Sequence, residues 1–299
     1  MKEYHIPVLL KESVDGLNVD PSGTYVDATY GGGGHSAEIL KRLENGRLYA
    51  FDQDNDAATS LPDDKKFFFI QGNFRFLKNY LRYYGTSHID GLLADLGVSS
   101  HHFNTPGRGF TYREDAPLDM RMNSKGKITA EKIINEYDVE KLSLLFYKYG
   151  EISQARKLSA AVLQARERQR ILTAGQLIDS IKHYIPHQAE NQFLSRVFQA
   201  LRIEVNREME SLERMLHDAL EMLNPGSRLV IISYHSLEDR MVKNFIRWGN
   251  VKEQPLKDIY GNIPEPFRVV TRKPVTAGDE EILRNSRARS ARLRIAEKK

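Results

Sequence analysis

With 299 residues, 40% of them hydrophobic and 28% charged, the chain is long enough for one large or two ordinary domains and can bury a core, which excludes a disordered protein. It contains no cysteine, so disulfides, zinc thiolate sites and thiol nucleophiles are excluded as well. The net charge of +4 is uneven: Arg268 to Lys299 carries ten Lys/Arg against four Asp/Glu, a local +6 that is either a solvated tail or a phosphate-binding footprint.

No apolar run approaches the length that crosses a bilayer, and MKEYHIPVLLKES lacks the layout of a secretory signal, so a cytoplasmic protein is expected. Three β–α units open the chain. Tyr25–Thr29 predicts a strand, followed by four glycines, Gly31 to Gly34, and a helix from about Ser36 to Leu43. Arg47–Asp52 is a second strand and Asn55–Ser60 a short helix. Lys66–Gln71 is a third strand followed by a helix through Tyr84, and Ile89–Leu96 is a fourth strand. These runs are apolar on both faces, as in a parallel sheet covered by helices.

From about Pro106 to Leu201 no strand is predicted. Helical periodicity recurs near Thr129–Glu136, Val139–Tyr149, Ile152–Gln169, Thr173–Tyr184 and Asn191–Leu201. The α/β pattern then returns: an amphipathic helix over Glu204–Leu223, a stop at Asn224-Pro225-Gly226, a buried strand Arg228–Ser233 and a helix over Arg240–Trp248. Phe267–Thr271 and Arg292–Ile295 close the sheet as a pair. The expected fold is α/β, a Rossmann-like, mostly parallel sheet with an antiparallel closing strand and an inserted all-helical domain. Residues 1–106 and 203–299 form its catalytic part and residues 107–202 the insertion.

On a doubly wound sheet, ligands sit beyond the carboxyl ends of the strands. Asp27, Asp52, Asn73-Phe74 and Asp95 all fall at or just past four successive strand ends, and together they suit S-adenosylmethionine. The glycines allow close main-chain approach to its methionine portion. Asp52 suits the ribose hydroxyls and Asp95 the sulfonium. Asp27 is expected to hold the loop's own N–H groups, and Phe74 is either core or a platform for the adenine. A nicotinamide dehydrogenase is the nearest alternative, because G-x-G with a downstream acid serves it too. No P-loop is present, and His183 and His187, with Pro186 between them, are not read as a metal site; no metal is expected.

The strings HIPVLLKESVDGL, YVDATYGGGGHS, IDGLLADLGVSS, RGFTYREDAPLDMRM, FQALRIEVNRE, IISYHSLEDR and NSRARSARLRIAE, in this order, resemble the bacterial ribosomal RNA small-subunit methyltransferase H family, RsmH or MraW. The resemblance covers nearly the whole chain. It implies methylation of the exocyclic N4 of a cytidine in the decoding region of 16S rRNA, with S-adenosylmethionine as donor. It maps cofactor contacts onto Gly33, Gly34, His35, Asp52, Phe74, Asp95 and His102, and makes the helical insertion a substrate-recognition domain. His102 stands where glutamine is common, and YHSLEDR replaces FHSLEDR.

A cytosine N4 is a weak nucleophile, so an acceptor for its protons is expected at Asp95. His235 is a second candidate, or else serves a helix start with Ser236 as N-cap. Without a thiol, the covalent route used for cytosine C5 is closed, whereas attack by N4 needs no adduct. The target base must be unstacked; Tyr234, Phe110 and Phe103 are candidate stacking partners. Phosphate contacts are expected from Arg108, Arg113, Arg121, Arg272, Arg287 and Arg289, some of which pair instead with the acids of EDAPLD. Asp95→Ala is expected to abolish methyl transfer with little loss of folding. The expected partner is 16S rRNA or the small ribosomal subunit, with no membrane and with monomer or homodimer left open. The competing classes are a small-molecule methyltransferase or dehydrogenase, and a non-enzymatic RNA-binding protein.

Overall fold

Seven strands form one sheet in the computed structural model, which describes residues 7–54, 57–58, 61–98, 105–252, 254–255 and 257–299. They are β1 Thr24–Asp27, β2 Arg47–Asp52, β3 Phe67–Gln71, β4 Ile89–Asp95, β5 Leu223–Ser233, β6 Phe267–Val269 and β7 Arg292–Lys298. The order is β3-β2-β1-β4-β5-β7-β6. The first five run parallel, and β7 lies antiparallel between β5 and β6.

The described helices are α1 Leu10–Leu17, α2 Gly34–Arg42, α3 Leu77–Tyr83, α4 Ala130–Glu136, α5 Val139–Gly150 and α6 Ala155–Arg168. They continue with α7 Ala174–Ile181, α8 Glu190–Asn206, α9 Glu208–Met222, α10 Ser236–Trp248 and α11 Asp279–Arg284. The chain divides into two compact units, residues 1–97 with 209–299 and residues 98–208.

In the first unit, alternation along each strand feeds two cores. Val26, Leu92, Ala94 and Ile231 pack with α3, α9 and α10, while Tyr25, Leu93, Val230 and Ile232 pack with α1 and α2. Burial on both faces is why these strands read as continuous apolar runs. The second unit has a core of its own, in which Ile133, Phe146, Leu158, Leu177 and Phe198 are buried. Three of its helices start on side-chain caps: Thr129 accepts from Lys132 N, Asp138 from Lys141 N, and Thr173 and Gln176 form a reciprocal capping box.

Three expectations are corrected. The helix expected over Glu204–Leu223 is broken at Arg207, which takes a left-handed φ of 50° between α8 and α9. Asn224-Pro225-Gly226, expected to stop that helix, instead forms a register shift inside β5: α9 ends at Met222, and Leu223 already pairs with Ile89 before Arg228 pairs with Gly91. α1 and α11 have no counterpart among the expected elements; α1 follows the left-handed Leu9, which offers no side-chain cap. The short helix expected over Asn55–Ser60 lies largely outside the described residues, with Ala57 and Ala58 in 3-10 conformation.

Candidate active site

Strand register alone brings the two principal acids together. Asp27, the last residue of β1, pairs with Ala50 on β2 and with Leu93 on β4. Asp52 and Asp95 therefore each lie two residues past the level at which the central strand stops. They flank its end at roughly 10 Å, twice the spacing of neighbouring strands. From β1 the chain winds outward through β2 and β3 and then crosses to β4 on the other side, so the end of β1 is the switch point where doubly wound sheets bind ligands.

The glycine loop lies between the end of β1 and the start of α2. Gly33 is the N-cap of α2 at φ 75°, and a Cβ there would lie 2.6 Å from the Tyr30 hydroxyl oxygen, so only glycine fits the turn. The Gly31 N–H donates to Asp52 Oδ2 at 2.8 Å and the Asp54 N–H to Asp52 Oδ1 at 2.8 Å. These contacts fix the orientation of a carboxylate that has room for about four donors in all. Asp27 is fully buried; it accepts from the Thr29 N–H at 3.0 Å and the Ser36 hydroxyl at 2.6 Å, tying the strand end to α2. Burial pushes its carboxyl up, and the His35 charge and these hydrogen bonds only partly offset that.

Asp95 sits in a tighter cluster. Its N–H donates to the Thr29 hydroxyl at 2.7 Å, and its Oδ1 accepts from the Tyr234 hydroxyl at 2.7 Å. Oδ2 lies 3.9 Å from His35 Nδ1, beyond a hydrogen bond. His35 is buried and its Nε2 faces the Val8 carbonyl at 3.1 Å, which makes Nε2 the protonated nitrogen and directs Nδ1 to Asp95. The adjoining Leu9 N–H donates to Glu281 Oε1 at 2.7 Å, so α11 holds the segment that holds His35.

Tyr234, suggested by sequence as a stacking ring, is thus a hydrogen-bond donor to Asp95. Thr29, Val8 and Glu281 did not stand out in the sequence, since their roles depend on contacts between residues far apart in the chain. His235 is the N-cap of α10, in place of Ser236: its Nδ1 accepts from the Glu238 N–H at 3.3 Å, and Glu238 reaches back to the Tyr234 N–H at 2.9 Å. His235 Nε2 is buried 3.1 Å from Glu238 Oε1 without the alignment of a hydrogen bond. Phe74 opens a 3-10 turn after β3 and is half-buried against the core, next to Asn73, whose amide donates to Gln53 Oε1 at 2.9 Å. His102 and Phe103 lie outside the described residues, and Phe110 is buried in the core of the second unit.

The arginines divide by their surroundings. Arg108 donates to the carbonyls of Arg121 and Met122, both at 3.0 Å. Arg121 forks onto Asp119 at 2.8 and 2.6 Å and also reaches the carbonyls of Ser124 and Gly126. Both shape the 108–126 loop from within. Arg113, Arg272 and Arg289 are exposed and Arg287 is half-buried.

A parallel sheet in this order, closed by an antiparallel strand, with acids at the ends of β2 and β4 beside a glycine loop, defines a Rossmann-like methyltransferase. The chain belongs to the MraW methylase family, whose description matches residues 2–299. It is 53% identical over 297 residues to ribosomal RNA small subunit methyltransferase H of Phocaeicola vulgatus, covering 99% of this chain and 98% of the relative. It is 54% identical to the protein of the same name from Bacteroides fragilis, with 99% and 98% covered. Among solved structures, an rRNA methylase from Streptococcus thermophilus aligns over 98% of both chains at 16% identity and a TM-score of 0.41. The fold class rests on the strand order and the family.

Proposed function

We propose that this chain transfers a methyl group from S-adenosylmethionine to the exocyclic N4 of a cytidine in the decoding region of 16S rRNA. The observation that carries the donor is the pair of carboxylates, Asp52 and Asp95, flanking the end of β1 beside a loop that only glycine can form. The relatives' printed name, at about half identity over nearly the whole chain, carries the ribosomal RNA substrate. The N4 position and the decoding region rest on the family resemblance alone.

The residues present fit the donor group by group. When bound, S-adenosylmethionine supplies an electrophilic methyl carried on a sulfonium. Asp52, already oriented by two main-chain N–H groups, accepts from the ribose diol. The first turn of α2, whose N–H groups lack intrahelical partners, attracts a carboxylate. Phe74, beside Asn73 just past the end of β3, would offer its ring to the adenine. Asp95 places negative charge where the sulfonium's charge falls.

For the acceptor, the chain's task is alignment and proton removal. The N4 lone pair is delocalised into the ring, so a carboxylate receiving its N–H groups frees it to attack in line. As the nitrogen–carbon bond forms and the carbon–sulfur bond breaks, Asp95 takes the proton that the nitrogen sheds. His235, engaged as a helix cap, is not needed for this step. Exposed Arg113, Arg272 and Arg289 contact phosphates, and the helical unit recognises RNA shape. Such a protein works in the cytoplasm; among the described residues no helix is long and apolar enough to cross a membrane.

The test is mass-spectrometric mapping of 16S rRNA from small subunits isolated without the modification, incubated with the protein and donor. One new methyl on N4 of a decoding-region cytidine is the expected result. Transfer to another atom, or none despite donor binding, refutes the substrate assignment.

A further inference from the structure

We propose that Tyr234 is a positioning residue for methyl transfer, its hydroxyl holding Asp95 by Oδ1 so that the carboxylate stays ionised with its other oxygen turned toward His35. This rests on the reaction proposed above but concerns a residue outside the cofactor contacts that the family resemblance maps. The donor–acceptor distance is 2.7 Å, and a hydrogen bond given to a carboxylate in a secluded place is among the stronger ones a side chain makes.

The ring that carries the hydroxyl is itself held in place. Tyr234 follows β5 directly, and Ile232 on that strand pairs with Asp95 on β4, so the two residues are neighbours by strand register. Its main-chain N–H is fixed by Glu238 at 2.9 Å. Gly97, at φ 118°, lies beneath the ring: a Cβ there would come within 2.9 Å of Tyr234 Cδ2, so the turn after β4 is bare where the ring passes. The hydroxyl therefore reaches Asp95 from a fixed direction.

Charge keeps the arrangement one-way. Burial, reinforced by the charges of Asp95, Glu238 and Glu281, drives the Tyr234 hydroxyl far above its ordinary range, so it remains a donor at any working pH. Among the described residues, titratable groups near the pair include His35 from α2, Glu238 from α10 and Glu281 from α11. Tyr234 is a neutral donor that favours the ionised carboxylate without adding charge beside a cationic ligand. A proton acceptor must be unprotonated when the substrate arrives; Tyr234 secures that.

The experiment compares wild type with Tyr234→Phe, which keeps the ring against Gly97 and deletes only the hydroxyl. Thermal melting confirms folding. Carbon-13 spectra of carboxyl-labelled aspartate in the protein without donor follow Asp95, assigned by its loss in Asp95→Asn. The Asp95 midpoint is expected to rise by about one pH unit on loss of the donor. In turnover, the acid limb of the pH–rate profile moves up equally, giving about ten-fold slower transfer below the limb and recovery to within about two-fold well above it. Replacing Tyr234 by 3,5-difluorotyrosine, a stronger donor, moves both the midpoint and the limb the opposite way. Superimposable midpoints and profiles for the three proteins overturn the proposal. A shifted midpoint in a wild type that methylates no ribosomal RNA refutes the reaction and leaves the Tyr234–Asp95 coupling in place, so the two failures are distinct.

Discussion

At the scale of single residues, the contacts of Asp95 change what its removal should do. The sequence suggests that Asp95→Ala loses only activity, but the Tyr234 hydroxyl would then be buried without its acceptor. An orphaned buried hydroxyl costs about 1–3 kcal/mol, so Asp95→Ala should unfold at visibly lower urea concentration. Asp95→Asn keeps an oxygen for the hydroxyl and should lose methyl transfer by more than a hundred-fold with a near-wild-type melting curve. Equal stability of the two variants would show that the Tyr234 bond carries little energy. Gly33→Ala tests the loop: at φ 75° with a Cβ 2.6 Å from the Tyr30 hydroxyl, it should cost about 1–2 kcal/mol and weaken S-adenosylmethionine binding about ten-fold by calorimetry. The positions of Asp52 and Asp95 were legible in the sequence because each ends a buried apolar run, where a carboxylate is conspicuous. The partners of Asp95 were not, since Thr29, His35 and Tyr234 meet it only through the folding of separate elements. The sequence shows that residue 234 carries a hydroxyl but not that it is given to Asp95.

Elements were legible wherever one physical signal decided them. Strands β1 to β4 are covered on both faces and so read as unbroken apolar runs, and the helices of the second unit announce themselves by periodicity, three of them starting on a capping Thr129, Asp138 or Thr173. The break at Arg207 left no mark, because a left-handed residue that is neither Gly nor Asn has no sequence signature. The basic C-terminal stretch was ambiguous, and the structure divides it. Arg294 forks onto the buried Asp239 of α10 at 2.7 and 3.0 Å, with Arg292 adding a contact at 3.2 Å, so part of the cluster ties β7 to α10. Burial pushes the Asp239 carboxyl up, but the two arginines outweigh it and hold the carboxyl below its ordinary value of 3.8. A carboxylate lowered by folding adds stability above its unfolded value and loses it as pH falls toward the folded one. Asp239→Asn should therefore cost about 2–4 kcal/mol in urea unfolding at pH 7, and its gap to wild type should narrow steadily below about pH 4. A gap that stays constant down to pH 3 would mean that the contact works through shape and not charge.

For the whole molecule, two units that each bury apolar cores of their own raise the question of whether the chain unfolds once or twice. Leu216 belongs to the core of the first unit and Phe146 to that of the second, and each is fully buried. The single tryptophan, Trp248 at the end of α10, lies in the first unit, so its fluorescence reports that unit, while far-ultraviolet dichroism follows the helices of both. The strand-end acids and the glycine loop also belong to the first unit, so a ligand held there stabilises that unit in the first place. S-Adenosylmethionine at a hundred times its dissociation constant should add about 2.7 kcal/mol to the tryptophan transition. Phe146→Ala, which removes about 3–5 kcal/mol from the other core, should move the dichroism transition and leave the tryptophan midpoint where it was. Leu216→Ala should do the reverse, lowering the tryptophan midpoint by the equivalent of about 2–5 kcal/mol. If the donor and both substitutions instead shift the two signals together, the units unfold as one cooperative body, and damage to the helical unit would then weaken the cofactor site at a distance.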